Sequence, residues 1–187
     1  SLDDLKGMKI RFFGLGARVL DKLGVATQLL AGGEIFQALQ LGTIDATEFA
    51  NPVVDEGFGF YQVAKYYYFP GWHQPASISG VFINMDTWNG MADQQQAMIE
   101  MTCGDMIRHT LAYGESRQAP AMRRMRDNNE VNIRYWPQEF LDAYEKAWQE
   151  VIEEESENNA NFKKIYASYS KFREDFKLWG DNGYLKR

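Results

Sequence analysis

Four residues of this chain carry chemistry that their neighbours do not explain: Arg11, Glu48, Phe49 and Gln74. Arg11 lies inside the apolar run 8–13, Met-Lys-Ile-Arg-Phe-Phe. A charge in an apolar strand must find a partner or face a cleft. Its guanidinium is planar and forked, and it matches a carboxylate bidentately. Two readings stand side by side, an internal salt bridge and a carboxylate-gripping arginine. Glu48 and Phe49 end residues 43–49, which read as a strand. Ligands of open α/β sheets gather at the carboxyl ends of strands. An acid there is either an oxygen ligand for a metal or a surface group, and on the residues alone the surface group is the simpler reading. Gln74 follows an aromatic run at a turn. Its amide oxygen suits a hard cation, although one amide by itself specifies little.

Catalytic signatures are missing around these residues. The sequence has no G-x-S-x-G elbow, no P-loop and no paired metal-ligand histidines. Gly14-Leu15-Gly16 follows a strand and opens a helix, but the third glycine of a dinucleotide loop would fall on Val19. The single cysteine, Cys103, makes no internal disulfide and has no base one helical step away, so it reads as a packed structural residue. Only His73 and His109 are available for a histidine-based mechanism.

The elements that must position these residues follow from local pattern. Residues 8–13 read as a strand bounded by Gly7 and Gly14. Residues 16–23 read as a short helix stopped by Gly24, and 25–30 as a second strand. A helix opens at Gly32-Gly33-Glu34 and ends at Gly42, and 43–49 form a third strand. Alternation of this kind argues for a parallel or mixed sheet flanked by helices. Residues 57–69 read as helix or irregular chain ending in Tyr66-Tyr67-Tyr68-Phe69-Pro70. A strand is expected over 78–84, then helices over 91–113 and 117–128 with Pro120 in the first turn of the latter. A strand at 131–136 precedes a long helix from Pro137 to about residue 156, with Phe140, Tyr144, Ala147, Trp148 and Val151 at helical spacing. A last helix spans 161–178, and the acidic run 153–155 reads as a solvated face.

Composition sets the frame. The chain has 187 residues, 45% hydrophobic and 25% charged, which places it among globular proteins. Net charge is −6, with no clustered basic face of the kind a nucleic-acid binder shows. No run of ~18 apolar residues is present to span a membrane, and no leader is visible at Ser1.

Longer motifs point further. Leu5-Lys6-Gly7-Met8-Lys9-Ile10-Arg11 resembles the "LKG-x-K-I-R" strand of DctP-type solute receptors, which serve tripartite ATP-independent periplasmic (TRAP) transporters. Residues 32–48, GGEIFQALQLGTIDATE, resemble their helix–strand core, and 64–72, AKYYYFPGW, are similar to the aromatic loop of the subgroup binding 2-oxo acids. A weaker likeness continues through 84–88 into the terminal helices. The resemblance implies an α/β periplasmic-binding-protein-like (type II) lobe with a mixed sheet, followed by long C-terminal helices, with the first lobe largely missing. Residues 1–75 would be the second-lobe core, 76–136 would return towards the first lobe, and 137–187 would be long helices that can dimerise.

The resemblance also implies roles. Arg11 matches the arginine that grips the ligand carboxylate. Glu48 matches an acid beside a bound cation, Na⁺ or Ca²⁺. Phe49 stands where relatives often have Trp, and its carbonyl can still coordinate. Gln74 stands where several relatives have Glu, so an amide oxygen replaces a carboxylate oxygen at one less negative charge. The expected protein is a periplasmic TRAP receptor for a small carboxylate of 2-oxo or 2-hydroxy class, not an enzyme. It would meet TRAP membrane subunits and form a homodimer. Two other readings compete: an α/β enzyme using Glu48 or His73 as base, and a helical dimerisation module built on the aromatic C-terminal helices. The enzyme reading lacks a nucleophile and a cofactor motif, and the helical module leaves Arg11 and Glu48 unexplained.

Overall fold

The computed structural model describes residues 1–74, 76–77 and 79–184. A short turn of 3-10 helix, Leu2–Leu5, leads into β1 (Lys9–Arg11), α1 (Leu15–Lys22), β2 (Ala26–Gln28), α2 (Gly32–Gln40) and β3 (Ala46–Thr47). These strands pair in the order β2-β1-β3, and both ladders are parallel. The βαβαβ unit read from the sequence is present with shorter strands, and the mixed sheet is corrected to a parallel one among the described residues. Parallel strands need a crossover each time, and α1 and α2 supply it.

The pleat sorts the side chains of β1. Ile10 and Phe12 fall on one face with Val19 and Leu20 of α1. The long helix α6 (Gln138–Asn158) closes this core with Phe140, Tyr144, Ala147 and Val151, a stripe at helical spacing. Each fully buried aliphatic chain here, Val19 or Val151, contributes about 1.5–3 kcal/mol by leaving water. Arg11, one residue out of step, turns to the opposite face. A second, smaller cluster gathers Ile35 of α2, Ile44 and Phe60. The acidic run of α6 does more than face solvent: Lys22 Nζ meets Glu154 Oε1 at 2.6 Å, and Arg18 pairs with Glu155. Such exposed pairs contribute about 0–1 kcal/mol each, yet they fix the register of α1 on α6.

After β3, a short helix α3 (Pro52–Gly57) starts where Asn51 Oδ1 accepts from the Val54 N–H and Pro52 sets the first turn. A 3-10 turn, Phe60–Gln62, leads to β4 (Tyr66–Phe69). The aromatic run is therefore a strand. It pairs in parallel with β5 (Asn132–Tyr135) across the whole run, Tyr66 opposite Asn132 and Phe69 opposite Tyr135. Between them lie α4 (Met85–Asn89) and α5 (Asp93–Asn129). The strand expected at 78–84 is not formed by residues 79–84, and Ile78 lies outside the described residues. With Phe82 96% exposed, that segment has no sheet to join.

The two helices expected at 91–113 and 117–128 are one, with Pro120 inside it. Proline removes one backbone bond, a cost of ~3 kcal/mol. Here α3 packs along the affected segment: the Val53 N–H donates to Gln118 Oε1, and Arg124 grips Glu56 through two bonds of 2.8 and 2.6 Å. The last helix, α7 (Ala160–Asn182), starts at Asn159, whose side chain accepts from the Asn161 and Phe162 N–H groups, and it buries no residue.

Candidate functional site

Strand ends assemble the site. The first three strands all point their carboxyl ends the same way, and each is followed directly by a polar group that matters. Arg11 closes β1, Leu30 follows β2, and Glu48 follows β3. Arg11 is only 6% exposed and is the one buried charged residue among those described. Its Nε donates to the Leu30 carbonyl at 3.2 Å. Its Nη1 donates to the Glu48 carbonyl at 2.6 Å and to Glu48 Oε2 at 3.1 Å. The Phe49 ring lies beneath the guanidinium at 5.3 Å. Gly32 leaves space for that ring, since a Cβ there would stand 2.8 Å from Phe49 Cζ. The Leu30 carbonyl takes Nε and the ion pair with Glu48 takes Nη1, while Nη2 has no hydrogen-bond partner among the described residues.

Glu48 is half-buried, and burial pushes its carboxyl above the ordinary value. Arg11 and the Phe13 backbone N–H pull it down, while nearby Asp55 adds to the push. Its other oxygen, Oε1, faces His73 Nε2 at 3.7 Å. Burial lowers the His73 pKa, so this contact is a neutral imidazole beside a carboxylate. The His73 Nε2 is buried and has no hydrogen-bond partner among the described residues. The ring is held by Phe12 at 4.7 Å and Trp72 at 5.2 Å, and Trp72 stacks on Tyr144 of α6 at 4.5 Å.

A second polar pair stands behind Glu48. The Tyr67 hydroxyl of β4 donates to Asp55 Oδ2 of α3 at 2.5 Å. Burial raises Asp55 to about 6, against the Tyr67 hydroxyl and the Ala50 N–H, and pushes the Tyr67 hydroxyl far up as well. Asp55 Oδ1 is buried without a partner among the described residues.

Arg11, Glu48 and Phe49 are therefore brought together. Gln74 is not joined to them by any hydrogen bond: it is exposed, and its Nε2 donates to Ser77 Oγ at 2.7 Å. Sequence reading did not place His73, the Leu30 carbonyl, Asp55 or Tyr67 in the site. His73 had a signal, its place next to Gln74 in the aromatic loop. Asp55 had none, because an acid in the first turn of a capped helix is ordinary. Among the described residues, no three His, Cys, Asp or Glu converge on a point that could hold a metal ion.

A buried arginine and an acid stand at the carboxyl edge of a parallel sheet, the edge at which open α/β sheets take ligands. Residues 1–159 match the model of bacterial extracellular solute-binding protein family 7, DctP, and the chain belongs to that family. A monocarboxylate 2-oxoacid-binding periplasmic protein of Nostoc sp. is 34% identical over 179 residues, 96% of this chain and 49% of the relative. A TRAP transporter solute-binding protein of Bordetella bronchiseptica superposes with a TM-score of 0.87 at 38% identity, over 96% of this chain and 53% of that one. It is a mixed-occupancy dimer with calcium and picolinate in one site. A TRAP periplasmic protein of Colwellia psychrerythraea, with bound calcium and pyruvate, has a TM-score of 0.84 at 27% identity, covering 96% of this chain and 55% of its own. The counterpart from Pseudoalteromonas atlantica, with sodium and pyruvate, scores 0.82 at 26% identity, over 96% and 54%. The chain thus spans about half the length of these relatives. No described helix is long and apolar enough to cross a membrane.

Proposed function

We propose that these residues are the second lobe of a periplasmic TRAP receptor that captures a small carboxylic acid of 2-oxo or 2-hydroxy class and delivers it to membrane subunits. The observation that carries this reading is Arg11. It is a buried arginine at a strand end whose Nη2 has no hydrogen-bond partner among the described residues while Nε and Nη1 are pinned. A guanidinium fixed in this way offers its remaining donor to a ligand carboxylate without further ordering. The bound pyruvate and picolinate of the relatives are carboxylates of the expected size.

A hard cation belongs to the same proposal. Burial holds the Glu48 carboxyl above its ordinary value despite Arg11, so its charged form is under-stabilised. A ligand carboxylate would add repulsion. Na⁺ or Ca²⁺ beside Glu48, with the Phe49 carbonyl and the Gln74 amide oxygen, supplies the missing charge through oxygen donors only. The Gln74 amide nitrogen is taken by Ser77, which leaves its oxygen as the free atom. Residues 1–75 are the lobe core, 76–136 return towards a first lobe, and 137–187 carry the helices. Exposed Ile165, Phe172 and Trp179 on α7 suit a homodimer contact. The ligand is bound and released unchanged.

Calorimetry on the full-length receptor with pyruvate, with and without Ca²⁺ and Na⁺, tests the reading. Cation-dependent binding with no turnover is expected. Release of a chemically altered product would favour an enzyme instead.

A further inference from the structure

His73 is the residue of this site that the roles above do not use. Its imidazole is placed with care. Phe12 and Trp72 flank it, and Gly16 of α1 leaves the space it needs, since a Cβ there would stand 3.2 Å from His73 Cδ2. The ring is thus clamped between the core of α1 and α6 and the strand ends. Its Nε2 is buried without a partner among the described residues, and a buried polar atom of that kind calls for one. Glu48 Oε1 faces it at 3.7 Å, too long for a hydrogen bond. The clamp keeps the ring from closing the gap. Glu48 is held from its other side, where Arg11 Nη1 takes Oε2. Two polar atoms at this separation can share a third atom lying ~2.8 Å from each.

We propose that His73 reads the oxygen on the second carbon of the bound acid, with Nε2 and Glu48 Oε1 meeting that one oxygen from two sides. The inference rests on the carboxylate-receptor reading above and names the part of the ligand that Arg11 does not hold. A 2-hydroxyl donates to Glu48 Oε1 and accepts from the Nε2–H. A 2-oxo oxygen accepts from the Nε2–H and needs the cation between itself and Glu48. An acid without oxygen at that carbon leaves Nε2 buried and unpaired, and a site built around a polar contact rejects such a ligand. His73 is then a specificity-determining contact, distinct from the carboxylate grip of Arg11.

The test is calorimetry on the full-length receptor with Ca²⁺ present, using pyruvate, L-lactate and propionate as probes, for the wild type, His73→Phe and His73→Gln. Phe keeps the ring packing and removes the nitrogen. In His73→Phe, affinity for pyruvate and lactate should fall about tenfold, the scale of one such hydrogen bond, while affinity for propionate changes less than about twofold. An equal loss for all three acids would make His73 a mere support, and no loss for any would remove it from the site. Either result overturns the inference while wild-type binding upholds the receptor reading. A wild type that binds none of the three overturns both. Should His73→Phe fail to fold, the ¹⁵N signal of the wild-type imidazole decides, assigned by its disappearance in His73→Gln. It should move on addition of pyruvate and stay with propionate, and identical behaviour with both acids refutes the contact.

Discussion

Replacing Asp55 by Asn isolates the most costly group in the structure. Asp55 of α3 is half-buried against Tyr67 of β4, with its Oδ1 fully enclosed, and its carboxyl is raised from 3.8 to about 6. At 1.36 kcal/mol for each tenfold change, holding it ionised in the folded chain costs about 3 kcal/mol. The sign follows from proton linkage. The folded carboxyl binds its proton more tightly than the unfolded one, so stability is highest below about pH 4. It declines as pH rises through about 6 and stays lower above that. Asn keeps an acceptor for the Tyr67 hydroxyl and carries no charge. Its amide nitrogen is left where Oδ1 has no partner, which takes back about 1 kcal/mol. The net expectation at pH 7.5 is a gain of about 1–2 kcal/mol. At pH 4, where the folded Asp55 carboxyl is already neutral, only the unpaired amide is left and the variant should lose up to about 1 kcal/mol. Urea denaturation of both proteins at several values between pH 4 and 7.5 measures this, and the difference between them cancels every other titrating group. An Asn variant destabilised equally at both ends would show that Asp55 is not buried as an acid. Parallel pH profiles would show that its carboxyl is not raised.

Other expectations follow from the same geometry. Arg11→Lys in the full-length receptor should weaken pyruvate binding by about 1.5–3 kcal/mol, since a point charge cannot serve Leu30, Glu48 and a ligand at once; an unchanged dissociation constant would reduce Arg11 to an internal ion pair. Exhaustive chelation and desalting should abolish high-affinity binding, and Ca²⁺ or Na⁺ should restore it; full affinity in metal-free buffer would end the cation proposal. Removal of residues 159–187 should halve the mass seen by light scattering, because α7 exposes its apolar side chains along its length; an unchanged oligomer would place the interface elsewhere.

What could be read beforehand divides along a physical line. Period and punctuation are local, so the βαβαβ unit was legible from Gly14, Gly24 and Gly42, and α6 from the spacing of Phe140, Tyr144, Ala147 and Val151. Pairing is not local. Tyr66–Phe69 is a strand because β5, more than 60 residues on, offers it a partner. Residues 79–84 have a strand-like composition but no partner, and they remain outside any sheet. Pro120 misled for a related reason: propensity placed a break there, and tertiary contact with α3 outweighed it. In the site, Arg11 was visible as a charge out of place, and Glu48 stood out only through the family resemblance. Asp55 and Tyr67 were not, since what sets them apart is burial against each other across α3 and β4.

Charge balance links these residues. Glu48 and Asp55 lie close enough for Asp55 to raise the Glu48 carboxyl further, and among the described residues Arg11 is the one buried cation that answers them. With both acids ionised, the edge of the sheet holds one negative charge more than Arg11 can neutralise. Binding a carboxylate there would bring a second excess charge into a half-buried place, where attraction and repulsion exceed their ~1 kcal/mol in water at 4 Å. The site can meet this by protonating an acid or by admitting a metal ion. Proton uptake alone would tie ligand capture to acid conditions, because Asp55 releases its proton near pH 6. A cation removes that restriction. Under the cation proposal an amide also suits Gln74: with Glu48 ionised and a ligand carboxylate present, a further carboxylate would add repulsion for the cation to offset.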